Sequence, residues 1–159
     1  IILVVFMIVL CGCQPEQSLT STVQVNPTGT DSPRWMIYEK ALSRAIVQKE
    51  DGLCEWEILG QSDNEVYVWA YCKVREPIGT AASIPVVIQL GNNGEIEKVT
   101  IPRDGNYYPV DIRALFPEDI QEEILSHSVF DATAAEKHIY ERLKSNGPPS
   151  IAISGTALP

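Results

Sequence analysis

Histidine is almost missing from this chain of 159 residues, which has two, and cysteine is sparse at four. His127 and His138 stand in no zinc-type spacing such as His-x-x-x-His, so no metal site is expected. There is no Gly-x-Ser-x-Gly elbow for a serine nucleophile. There is no Gly-x-Gly-x-x-Gly and no phosphate-binding loop, so no nucleotide cofactor is expected either. The absence of Cys-x-x-Cys argues against a thiol redox pair. Positive charge is also short: 12 Lys and Arg stand against 21 Asp and Glu, a formal net charge of −9. That balance argues against nucleic acid and against electrostatic adhesion to anionic lipid. "RDGNYYPVD" brings Asp104, Asn106 and Asp111 near a turn but lacks calcium-loop spacing. It reads as a turn whose tyrosines pack inward. The chain is therefore expected not to be an enzyme.

Long apolar runs are absent too, with one exception. Ile1–Leu10 is unbroken apolar sequence, but ten residues fall short of the roughly 20 needed to span a bilayer. Such a run suits the apolar core of a secretory signal, about 7–15 residues long. Leu10-Cys11-Gly12-Cys13 follows it and resembles the bacterial lipobox, with Leu at −3, a small residue at −1 and Cys at +1. Cys13 fits the +1 place because Gly12 before it is small, whereas Cys11 would follow Leu10. The resemblance implies that residues 1–12 are removed. It also implies that Cys13 carries a thioether-linked diacylglyceride and an acylated amine, which anchor the protein to the exported side of a cell membrane. Two or more acyl chains give stable anchoring where one gives only marginal binding. Gln14 at +2 is not Asp, so the Gram-negative cue for inner-membrane retention is absent. No initiator Met or basic segment precedes Ile1, so the chain is expected to begin upstream.

Residues 13–32 continue as "QPEQSLTSTVQVNPTGTDS" after the cysteine, rich in Ser, Thr, Pro and Gln. This is expected to be a disordered linker, spanning on the order of 25 Å as a flexible coil. A single domain is expected over 33–145, with 146–159 as a tail that could hold one late strand. Ser32 and Pro33 suit a helix start. Trp35, Tyr38, Leu42, Ala45 and Ile46 then recur on one helical face, and Gly52 can close the helix.

Two alternating segments in "LCEWEILGQSDNEVYVWAYCKV" flank the polar turn Gln61–Glu65, which predicts a hairpin. Centring the turn on Asp63 places Cys54 opposite Cys72, Trp56 opposite Ala70 and Ile58 opposite Val68. A Cys54–Cys72 disulfide is the default for an exported chain. "SIPVVIQLGNNGEIEKVTIP" predicts a second hairpin turning at Gly91–Gly94, with Pro85 marking an edge or a strand start. Helices are expected after Pro117, with Ile120, Ile124 and Leu125 inward, and after Asp131, with Ala135, Ile139, Tyr140 and Leu143 inward. Both histidines are expected on helix surfaces.

The fold class that follows is α+β: an N-terminal helix packed on an antiparallel sheet of two hairpins, about four strands, followed by two C-terminal helices. The helix-then-meander order is similar to a cystatin-like roll, which implies a fold and no function. In the hairpin register Cys54, Trp56, Ile58, Val66, Val68, Ala70 and Cys72 share one apolar face, expected in the core. Glu55, Glu57, Leu59, Tyr67, Trp69, Tyr71 and Lys73 share the other. Aromatics beside carboxylates suit a protein or glycan contact, so Glu55, Glu57, Tyr67, Trp69 and Tyr71 form a candidate binding face. The competing expectation is that a C-terminal helix covers it. Glu55 and Glu57, about 7 Å apart along one strand face, do not flank a glycosidic bond from two sides. The expected function is a membrane-anchored, non-catalytic binding or inhibitory module. A structural envelope lipoprotein is the alternative, and an exported hydrolase a more distant one.

Overall fold

The computed structural model describes residues 34–76 and 78–149. The signal-like run, Cys13, the linker with Ser32 and Pro33, and residues 150–159 lie outside the described residues. β1 (Leu53–Gln61) and β2 (Glu65–Lys73) pair in the expected register, with Cys54 opposite Cys72, Trp56 opposite Ala70 and Ile58 opposite Val68. The Cys54–Cys72 disulfide is formed, its Cα atoms 4.1 Å apart. Beyond Ile58 the register slips by one, so that Gly60 faces Tyr67. The extra residue, Leu59, is a bulge of the kind that increases local twist.

β3 (Ala81–Leu90) and β4 (Ile96–Thr100) complete an antiparallel meander in the order β1-β2-β3-β4. Of the two expectations for Pro85 the edge holds and the strand start does not, because it lies inside β3 opposite Trp69. The reason is local. β4 pairs only with Val87 to Leu90, so at Pro85 the strand has a neighbour on one side alone. A proline without an N–H is tolerated at such an edge.

α1 (Arg34–Ile46) lies across one face of this sheet, burying Tyr38, Leu42 and Ser43. Tyr38 and Leu42 join Trp56, Val66, Val68, Ala70, Val86 and Ile88 in one apolar cluster. Fully burying a large apolar side chain contributes about 1.5–3 kcal/mol. Gly52 does not close the helix, which ends at Ile46 with Gln48 left-handed at φ 57°. Glycine is required at 52 for space, since a Cβ there would collide with Ser43 Oγ. That hydroxyl donates to Lys49 O at 2.6 Å.

Three helices, not two, follow the sheet: α2 (Tyr108–Leu115), α3 (Glu118–Ser126) and α4 (Ala132–Ser145). α2 begins after a single 3-10 turn at Gly105–Tyr107 and accepts Pro109 in its first turn. Asp131 caps α4 by accepting the Ala134 N–H at 2.9 Å. Two expected inward residues face out: Tyr140 on α4 and Tyr107 before α2 are both exposed. Each lies under a cation, Lys73 Nζ and Arg103 respectively, rather than against the core. Ile112, Phe116 and Ile124 pack on Tyr67, Trp69 and Val87, while Ala135 and Ile139 pack on Leu53 and Tyr71. The sheet is therefore covered on both faces, by α1 on one and by α2–α4 on the other.

Candidate functional site

The aromatic row is not a binding face. Tyr67, Trp69 and Tyr71 are only 6%, 5% and 8% exposed. Trp69 stacks on Phe130 at 6.5 Å, meets the His127 ring edge-on at 5.6 Å and donates its indole N–H to Ser83 Oγ at 2.9 Å. Tyr67 tilts against Phe116 and donates to Glu65 Oε2 at 2.7 Å. Burial raises the phenols of Tyr67 and Tyr71, and the nearby Glu136 helps push Tyr71 to about 12. These rings must bury their apolar bodies somewhere, and the C-terminal helices supply the apolar partners. Of the five candidate residues Glu57 alone is exposed.

Glu55 is wholly buried, for a different reason. Arg142 of α4 reaches around the edge of β1 and donates from Nη1 to Glu55 Oε1 at 2.9 Å and to Cys54 O at 2.7 Å. Its Nη2 donates to Glu39 Oε1 of α1 at 2.6 Å, and its Nε to Gly147 O at 2.9 Å. Glu39 in turn accepts the Cys54 N–H at 2.9 Å, and His138 Nδ1 meets Glu55 Oε1 at 2.9 Å. One guanidinium thus ties α1, β1 and α4 together. It also satisfies the Cys54 carbonyl of a strand that has a neighbour on one side alone among the described residues. The sequence reading missed Arg142, Glu39 and the pairing of His138. A signal existed: Arg142 follows Ala135 and Ile139 along the inward stripe of α4, where an apolar residue is the rule.

His127 ends α3 in the left-handed conformation, with φ 55°. Its Nδ1 lies 3.1 Å from Leu125 O, an acceptor, so that nitrogen carries the proton. The ring borders a cleft of about 370 Å³ shared with Ser83, Asp104 and Tyr108. The Ser83 hydroxyl is engaged by Trp69, and among the described residues no hydrogen bond links Ser83, His127 and Asp104. The cleft holds polar groups without the nucleophile–base contact that acyl transfer needs.

A second surface has a different character. On α1, Met36 and Ile37 are 44% and 51% exposed, although large apolar side chains favour burial. Ile37 borders a cleft of about 520 Å³ between α1 and β4, lined further by Ala41, Ile96 and Val99, with Lys40, Arg44 and Lys98 around it. A neighbouring cleft of about 420 Å³ shares Ile37 and Ile96 and extends to Arg34, Tyr38 and the Asn93–Gly94 turn. Tyr38 is 2% exposed, and its hydroxyl has no hydrogen-bond partner among the described residues. Burial raises its phenol above the usual tyrosine value, and the positive charge of Arg34 draws it partly back.

The chain matches no family model, no curated protein and no solved structure. Function must therefore be argued from the site itself.

Proposed function

We propose that this protein is a non-catalytic binding module, tethered through a lipid on Cys13 to the exported side of a cell membrane, whose contact surface is the α1–β4 groove. The observation that carries the contact surface is the exposure of Ile37 beside a cleft lined by Ala41, Ile96 and Val99, while both faces of the sheet are covered by helices. A partner that covers this surface removes apolar area that folding has left in water. The aromatic row cannot serve, since its rings lie beneath α2–α4. The Cys54–Cys72 disulfide supports export, because such bonds persist in oxidising compartments.

A photo-crosslinking residue placed at Ile37 tests the contact surface in cells. A discrete adduct at position 37, with none from the same probe at Glu122 on the opposite helical layer, is the expected result. Adducts from 122 alone would overturn the assignment. The tether is tested by labelling with a clickable fatty acid: Cys13→Ala should abolish the label, and loss with Cys11→Ala instead would move the lipid to Cys11.

A further inference from the structure

We propose that the α1–β4 groove takes an extended, acidic peptide segment of a partner protein, added beside β4 as a fifth strand, with a carboxylate directed toward Tyr38 and Arg34. This rests on the binding-module reading and names the partner's chemistry. The two edges of the sheet are treated differently. Around Cys54 the β1 edge is sealed by Glu39 and Arg142. Along β4 no counterpart of that seal occurs among the described residues. Ile96, Glu97, Lys98 and Val99 all line the cleft. Successive strand residues point to opposite faces, so four in a row means that the rim of β4, which has no second neighbouring strand among the described residues, borders the groove. Such a rim accepts a strand through main-chain hydrogen bonds, and pockets for alternate side chains give selectivity.

Size and charge narrow the occupant. The five residues of β4 extend over roughly 17 Å at about 3.3 Å each, and α1 from Arg34 to Ala45 runs about as far. That length seats about five extended residues. Around the larger cleft Lys40, Arg44 and Lys98 outnumber Glu97, on a chain whose net charge is −9. Lys40 and Arg44 also meet Glu50 at 3.0 and 3.6 Å. Those pairs are more than half exposed, and such pairs are weak enough to exchange for a ligand carboxylate. At the other end, Tyr38 has a buried hydroxyl without a described partner, in a cleft that Arg34 and Glu95 also line. A donor of that kind beside a cation suits a carboxylate. A second copy of this chain fits less well. Two β4 strands paired antiparallel about their central residue would set Lys98 against Lys98, and like charges directly opposite are unfavourable.

The test uses the full chain in detergent and a fluorescein-labelled octapeptide alternating valine with glutamate, read by anisotropy. Binding should weaken at least tenfold when lysine replaces glutamate, when alternate amides are N-methylated, and in the Arg44→Glu/Lys98→Glu variant. Tyr38→Phe should weaken binding about threefold or more without lowering the urea midpoint, since it removes a hydroxyl that folding leaves unpaired. Absence of binding, equal binding of the lysine peptide, or indifference to N-methylation would each overturn the proposal. So would a concentration-dependent dimer that the double variant abolishes. If the Ile37 crosslink persists while the acidic peptide fails, the binding-module reading stands and the acidic strand is wrong. If both fail, both fall.

Discussion

A guanidinium taken out of water must have its charge and its donors answered within the protein. Arg142 meets that demand with two carboxylates and two backbone carbonyls from three separate segments. Arg142→Ala leaves Glu39 and Glu55 buried without their shared cation, and breaking a buried pair in this way costs about 3–5 kcal/mol. Urea unfolding should show that loss, and a change below about 1 kcal/mol would mean water replaces the guanidinium freely. Arg103 and Asp111 present an exposed contrast, with Arg103 Nη2 2.7 Å from Asp111 Oδ1. Bonds from the Arg103 side chain and backbone hold the Asp111 carboxyl down at about 2, against an ordinary 3.8. The folded state thus binds this proton less readily than the unfolded state. Its contribution is present above about pH 4 and is lost as pH falls toward 2. Asp111→Asn should remove that stretch of acid sensitivity, and an unchanged acid limb would refute the assignment. Little of this residue-level detail was legible in the sequence. Glu55 lies 83 positions from His138 and 87 from Arg142, and no local pattern reports such contacts.

At the scale of elements the sequence carried more. The β1–β2 register and its disulfide followed from alternation around one polar turn, because a period of two leaves little freedom once the turn is placed. Reduction of Cys54–Cys72, at a separation of 18, should lower stability by about 3 kcal/mol on the loop-entropy account. Ready alkylation of both thiols in folded, unreduced protein would contradict the bond. The second face of β2 was left between an open binding face and one covered by a C-terminal helix, and it is covered. Between Val66 and Cys72 it has no charged residue, which is the mark of a strand buried on both faces, yet its aromatic alternation suggested an open side. α2 was missed because eight residues with a proline near the start give too few turns for helical periodicity to show. The covered face changes what Trp69→Ala should do. Its indole packs among Phe130, His127 and Ser83, so the substitution should cost about 3–5 kcal/mol of stability. A drop in the denaturation midpoint at unchanged slope is the expected signature, whereas an unmoved midpoint would mean that the ring is dispensable to the fold.

Across the whole molecule, phenols are spread through both helical layers. Tyr38 belongs to α1 and packs inward, Tyr67 and Tyr71 lie beneath the C-terminal helices, and Tyr108 belongs to α2. Burial raises all four above the ordinary tyrosine value of 10.0, with Tyr71 reaching about 12. Each raised value means that the folded protein holds its proton longer than the unfolded chain does. The stabilisation is complete below about pH 10 and is lost as pH rises through the folded values toward 12. Because the phenols occupy both layers, the loss should appear as one cooperative alkaline unfolding rather than the detachment of a single helix. Denaturation midpoints should fall steeply between pH 10 and 12. Tyr71→Phe, which removes the group with the largest shift and keeps the ring, should make that fall shallower. Phenolate absorbance recorded alongside circular dichroism provides the check. In the native protein, ionisation of Tyr71 should coincide with loss of the helical signal. Full ionisation of its phenol near pH 10 with the helices intact would show that the C-terminal layer opens to water without unfolding, and the covered face would then have to be redrawn.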